Sequence, residues 1–138
     1  MNLDGPILDT NVVLRFLRKE DAQHELAKRL LEEATAGNRR MVLLDMALAE
    51  VVFVLSSFYK YSRLEVAEAV TALLNHRGVG VAHPEVVLNA LVRYTGSNLH
   101  FVDCYLAAMA KAAGREICTF DEGLVRFGDV RITPAGER

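Results

Sequence analysis

Apolar and polar positions alternate along this chain in two rhythms, one of helical period and one of short continuous runs. Ile7 and Leu8 form a brief apolar approach, followed by Asp9-Thr10-Asn11 and then by Val12, Val13, Phe16 and Leu17 at helical spacing. This predicts a strand that delivers Asp9 to a helix, with Thr10 as the cap. Asp21 is expected to open a second helix, with Leu26, Leu30 and Leu31 as its stripe and Gly37-Asn38 as its stop. Met41 to Leu44 is an unbroken apolar run, as in a strand buried on both faces. Asp45 then reads as the cap of a helix to about Ser57, carrying Leu48, Val51, Val52 and Leu55.

Ser62-Arg63-Leu64-Glu65 is a capping box, and Val66, Ala69, Val70, Leu73 and Leu74 continue it as a helix. Gly78 to Val81 suggests a short strand. Pro84 starts a helix containing Val86, Val87, Ala90, Leu91 and Tyr94, broken by Gly96-Ser97-Asn98. An alanine-rich helix spans about Phe101 to Ala113, with Gly114 just past its end. Glu116 to Phe120 reads as a strand ending in Asp121-Glu122-Gly123. A helical turn and an edge strand near Val130 to Ile132 finish the pattern. Strands alternating with helices predict an α/β fold, a three-layer α/β/α sandwich with a mainly parallel sheet of about five strands.

With 138 residues, 51% of them hydrophobic, and no linker or repeat, the expectation is one domain over residues 1–138. No apolar run approaches the roughly 18 residues of a spanning helix, and Met1-Asn2-Leu3-Asp4 has no basic leader. Cys104 and Cys118 form no close-spaced metal or redox motif and read as small core residues of a reduced, cytoplasmic protein. The net charge of −2 runs against nucleic-acid binding, yet Arg15-Arg18-Lys19, Arg39-Arg40 and Lys60 with Arg63 are local basic clusters.

Four carboxylates change this picture, because each ends or interrupts an apolar segment. Asp9 follows the first strand, and Glu50 stands inside Met46-Ala47-Leu48-Ala49-Glu50-Val51-Val52-Phe53. Asp103 falls in the first turn of the alanine-rich helix, and Asp121 follows Cys118-Thr119-Phe120. Each has an ordinary structural role open to it. Asp9, Asp103 and Asp121 would favour helix N-termini by ~0.3–1 kcal/mol apiece, and Glu50 would face solvent. As a set they suggest more, since ligands of open α/β sheets bind beyond the carboxyl ends of the strands. Two carboxylates roughly 5 Å apart at an effective dielectric near 20 repel by about 3 kcal/mol. No Lys or Arg adjoins these acids in sequence, and an all-oxygen set suits the hard cations Mg²⁺ or Mn²⁺. Such a site implies phosphoryl chemistry.

Ile7-Leu8-Asp9-Thr10-Asn11, Ala49-Glu50, Phe101-Val102-Asp103 and Thr119-Phe120-Asp121 resemble the four signature regions of PIN-domain ribonucleases. The resemblance covers essentially the whole chain and is greatest to the small VapC-type toxins of prokaryotic toxin–antitoxin pairs. It implies a Mg²⁺- or Mn²⁺-dependent endoribonuclease in which Asp9, Glu50 and Asp103 are the central metal ligands and Asp121 a more distant fourth. By the same resemblance Thr119 supplies a hydroxyl near the metal's waters and Asn11 an amide after the first acid. An RNA substrate, a homodimer and a small antitoxin protein inserted into the acidic groove are further implications, with no membrane association. Asp45 stands where many relatives carry Ser or Thr, and Glu122 where a basic residue is frequent.

Arg15, one to two turns beyond Asp9, is a candidate phosphate contact, with a surface ion pair as the ordinary alternative. His24, His76, His83 and His100 share no ligand spacing and read as structural or surface residues. Tyr59 and Tyr61 offer rings for stacking on bases, or packing between helices. A haloacid-dehalogenase-like phosphatase is the enzymatic rival, but it requires a second Asp where Asn11 stands. A catalytically degenerate PIN-like interaction module is the non-enzymatic one, and four intact acids speak against it.

Overall fold

The computed structural model describes residues 3–133. They fall into two compact units, Met1–Pro84 and Glu85–Arg138.

The first unit contains α1 (Thr10–Leu17), α2 (His24–Ala36), β1 (Met41–Val42), α3 (Asp45–Ser57), α4 (Arg63–Leu74) and β2 (Val79–Gly80). β1 runs parallel to β2, with Met41 opposite Val79 and Val42 opposite Gly80. On the other side of β1, Ile7 makes an isolated parallel bridge to Val42. Leu8 N–H donates to Val42 O (2.8 Å), and Val42 N–H donates to Pro6 O (2.7 Å). Three extended segments therefore share one direction, so their carboxyl ends leave a common edge and their entries form the opposite one. Helix α1 packs on α2 and α3, while α4 packs on α3 and β2. Val13, Leu31, Leu43, Leu48, Val51, Leu55, Val66, Val70 and Leu73 fill the interior. The capping box forms in full: Ser62 Oγ accepts from Glu65 N–H (3.1 Å), and Glu65 Oε1 accepts from Ser62 N–H (2.8 Å).

Helix α5 (Pro84–Thr95) leads into the second unit, followed by α6 (Phe101–Ala113) and a 3₁₀ turn over Glu122–Arg126. Ala107, Ala110, Ile117, Leu124 and Val130 form its core, with Phe127 and Ile132 packed against them. The alanines let the following segment approach α6 closely. Gly114 ends α6 in the left-handed region (φ 64°), where a side chain is disfavoured.

The α/β character expected from the pattern holds, and its pairings are parallel. The strands are shorter than their apolar runs. Among the described residues there are two strands and two isolated bridges where about five strands were expected. Of the run Met41 to Leu44, strand β1 takes the first two residues, and Leu43 N–H extends the contact to Gly80 O (2.9 Å). Glu116 to Phe120 and Val130 to Ile132 meet in a single bridge, Ile117 to Ile132. Hydrophobicity reports burial, whereas a ladder also needs a partner in register.

Caps shift by a residue. Asp9, not Thr10, is the N-cap of α1, and Leu44, not Asp45, that of α3. Asp21 makes a turn, its Oδ1 accepting from Gln23 N–H (2.8 Å), and α2 begins at His24. Leu26 is exposed; Ala27 and Leu31 are the buried face of α2. Cys104 is buried as expected, but Cys118 is exposed. Among the described residues no helix is long and apolar enough to cross a membrane.

Candidate functional site

Asp9 and Glu50 belong to the first unit. Asp9 takes the N-cap position of α1 with extended backbone (φ −80°, ψ 147°), and its carbonyl accepts from Val12 N–H (3.1 Å). Its carboxylate makes no capping bond and is exposed at the carboxyl end of the Ile7–Leu8 segment. Glu50 lies in the second turn of α3, which begins just beyond the carboxyl end of β1. Leu48, Val51, Val52 and Leu55 turn inward, leaving Met46, Glu50 and Phe53 on the outer face. Met46 is 84% exposed and Phe53 67%. The apolar octapeptide thus surrounds its acid without burying it. Because α1 packs on α3, these two acids stand on adjoining helices that leave the same edge.

Asp103 and Asp121 belong to the second unit. Asp103 is the third residue of α6, half-buried in the first turn. Asp121 caps the 3₁₀ turn: its Oδ1 accepts from Gly123 N–H (2.8 Å), and its own N–H donates to Thr119 Oγ1 (2.9 Å). The capping role open to Asp121 is therefore realised, leaving Oδ2 outside that bond. Thr119 sets the backbone that presents Asp121. A Cβ at residue 123 would meet Leu99 Cδ2 at 2.8 Å and Asp121 Oδ1 at 3.1 Å, so a side chain there would press on the capping carboxylate. Arg126 donates to Asn98 Oδ1 (3.0 Å), tying the turn headed by Asp121 to the loop that opens α6.

Among the described residues no ion pair or side-chain hydrogen bond engages Asp9, Glu50 or Asp103. Nor do three or more His, Cys, Asp or Glu side chains gather there into a group able to hold a metal. Each unit carries two of the four acids. The carboxylate oxygens of Asp9, Glu50 and Asp103, and Asp121 Oδ2 outside its capping bond, are of the all-oxygen type that suits a hard divalent cation.

Asn11 is exposed in the first turn of α1, while the neighbouring Thr10 is buried. Arg15 pairs with Asp21 (3.6 Å), the ordinary alternative raised for it. His24 Nδ1 lies 3.1 Å from Arg15 O, and His76 Nδ1 accepts from Gly78 N–H (2.9 Å), so both serve structure. The Arg18 guanidinium lies 3.6 Å over the Tyr59 ring, which makes Tyr59 a packing residue.

One constellation escaped the sequence reading. Arg93, only 8% exposed, forms a bidentate pair with Asp129 (2.9 and 2.6 Å), and its Nε donates to Asn89 Oδ1 (2.9 Å). Its guanidinium also lies over the Phe127 ring (4.9 Å). The hydrogen bonds from Arg93 hold the Asp129 carboxyl below its usual range. This clamp fastens the segment after the Asp121 turn to α5. The Asn89–Arg93 spacing is visible in sequence; Asp129, thirty-six residues further on, is not.

The PIN domain family model matches residues 7–130, and the chain belongs to that family. A VapC ribonuclease from Aquifex aeolicus (strain VF5) is 26% identical over 132 residues, covering 95% of this chain and 98% of that protein. The crystal structure of Mycobacterium tuberculosis VapC20, described as a sarcin-ricin loop cleaving toxin, covers 93% of this chain and 98% of its own, with 22% identity and a TM-score of 0.39.

Proposed function

We propose that this PIN-domain protein is a VapC-type toxin: an endoribonuclease that depends on Mg²⁺ or Mn²⁺. The observation that carries the reading is the match of the PIN model to residues 7–130, a span that holds all four acids. The end-to-end alignment with a VapC ribonuclease supports the choice of RNA as substrate. With the family comes the three-layer α/β/α arrangement of the fold.

Asp9, Glu50 and Asp103 would hold the cation, with Asp121 as the outer, fourth acid. When bound, a divalent cation supplies Lewis acidity to phosphodiester hydrolysis. The chain's own contribution is to present carboxylates that, among the described residues, no cationic side chain pairs with. Asp121 is kept in one orientation by Gly123 N–H, and Thr119 fixes the backbone beneath it. Asn11 offers an amide donor beside Asp9. Glu122 adds negative charge to the rim, so substrate phosphate would approach from elsewhere. A small antitoxin protein that covers the acidic surface, a homodimeric assembly and a cytoplasmic setting complete the proposal.

The deciding experiment incubates the purified protein with total RNA, with and without Mn²⁺, and maps new ends. Discrete ends that need the metal are expected. No metal-dependent ends, with RNA intact over the full time course, would refute the assignment.

A further inference from the structure

The entry edge of the parallel strands carries a cavity of about 540 Å³, within the first unit and opposite the edge from which Asp9 and Asp45 leave. Arg39, Arg40 and Arg77 line it, with Asp4, Thr35 and Asn38. Its volume falls in the range of small-molecule sites, about 300–1,000 Å³. Three guanidinium groups face one carboxylate there. Among the described residues none of the three has an ion-pair partner.

The fold builds this wall deliberately. Asn38 adopts the left-handed region (φ 56°), which turns the chain sharply out of α2 and sets Arg39 and Arg40 at the mouth of β1. Gly5 lies so close that a Cβ there would come within 1.7 Å of Arg40 O, and one at Gly78 within 2.5 Å of Leu31 O. The backbones on either side of the cavity are therefore packed tightly around the arginine-bearing segment. The end of α2 would ordinarily repel an anion, because its last carbonyls point outward. Here Gly37, Asn38 and Arg39 N–H groups donate to Glu33, Thr35 and Ala34 carbonyls, which removes much of that opposition. Thr35 spends its hydroxyl proton on Leu31 O (3.0 Å), so the side-chain donors lining the cavity that remain for a ligand are the three guanidiniums and the Asn38 amide. Planar, always-charged guanidiniums that have no carboxylate partner among the described residues match phosphate oxygens in geometry and charge.

We infer that this cavity is a binding site for a phosphate-bearing ligand of nucleotide size, separate from the acid-bearing edge and independent of divalent metal. The phosphate belongs either to a free nucleotide or to an RNA strand. The two share the same recognition chemistry.

The test uses the full chain in EDTA. Calorimetry measures binding of a nucleoside 5′-diphosphate, an unstructured twelve-nucleotide RNA and, as an ion-exchange control, sulfate. The triple variant Arg39→Gln/Arg40→Gln/Arg77→Gln is compared with a variant of equal charge, Lys28→Gln/Arg29→Gln/Arg115→Gln, whose residues lie outside the cavity. The expected result is chelator-insensitive binding of at least one nucleotide probe, weakened tenfold or more in the cavity variant and less than twofold in the control. Equal affinity for diphosphate and RNA identifies a free nucleotide as the source. Much tighter RNA binding, with a steep salt dependence, identifies a strand. The site is overturned by no binding in EDTA, by sulfate binding as tightly, or by equal losses in both variants. If the triple variant fails to fold by circular dichroism, Arg77→Gln alone decides the point by the same criterion. Because no metal is present, failure here leaves the nuclease assignment untouched, and failure of RNA cleavage leaves this site untouched.

Discussion

At the scale of single residues, the four acids differ in what the protein already asks of them. The carboxylates of Asp9, Glu50 and Asp103 hold nothing in place among the described residues, whereas that of Asp121 caps a turn. Exchanging one of the first three therefore separates activity from stability. Asp103→Asn is expected to abolish metal-dependent RNA cleavage while changing the stability of the metal-free protein by no more than about 0.5 kcal/mol, the usual range for surface changes. Chemical denaturation and a cleavage assay on the same preparation check this. Asp103→Asn protein that cleaves at the wild-type rate would remove Asp103 from the site.

At the scale of elements, helix α4 and the Arg93–Asp129 clamp make opposite demands on foresight. The capping box is local, so Ser62, Glu65 and the apolar residues after them were sufficient to find it. Ser62→Ala should cost about 1 kcal/mol, read as a lower urea midpoint with unchanged slope. Ser62→Thr should restore most of it. The Arg93–Asp129 pair is non-local and half-buried. Removing the carboxylate in Asp129→Ala leaves a buried guanidinium without its main acceptor, a loss of about 1–3 kcal/mol at neutral pH. The Asp129 carboxyl is depressed in the folded state, so its contribution is complete above the ordinary aspartate value (~3.9) and fades as pH falls through the lower folded one. The gap in melting temperature between wild type and Asp129→Ala should hold from neutral pH down to about 5 and close below about 4. A gap that stays constant at low pH would assign the loss to packing on Phe127 instead.

At the scale of the whole molecule, a cation that binds only the folded chain must raise its stability. Mn²⁺ at about 100 times its dissociation constant should add roughly 2.7 kcal/mol, visible as a higher melting temperature. Glu50→Gln and Asp103→Asn should each diminish the rise. A wild-type melting curve indifferent to Mn²⁺ and Mg²⁺ would favour a degenerate PIN module over a nuclease.

The sequence by itself determined the helices and most of the core, and it singled out four acids as candidates, because each of these is written in local terms. Helical period selects Val51, Leu55, Val66 and Val70 for burial, Gly114 for a left-handed end and Ser62 for a cap. Its signature regions were also enough to name the PIN family. The tertiary structure decided what depends on partners far along the chain. Strand length followed register, not hydrophobicity, so the run Met41 to Leu44 became a two-residue strand. Burial followed neighbours, so Cys118 and Leu26 came to the surface. Asp129 found Arg93, and Arg77 joined Arg39 and Arg40 around one cavity, because parallel strands bring their entries to a single edge. Those juxtapositions arise from chain crossings, which leave no periodic trace in the residues that make them.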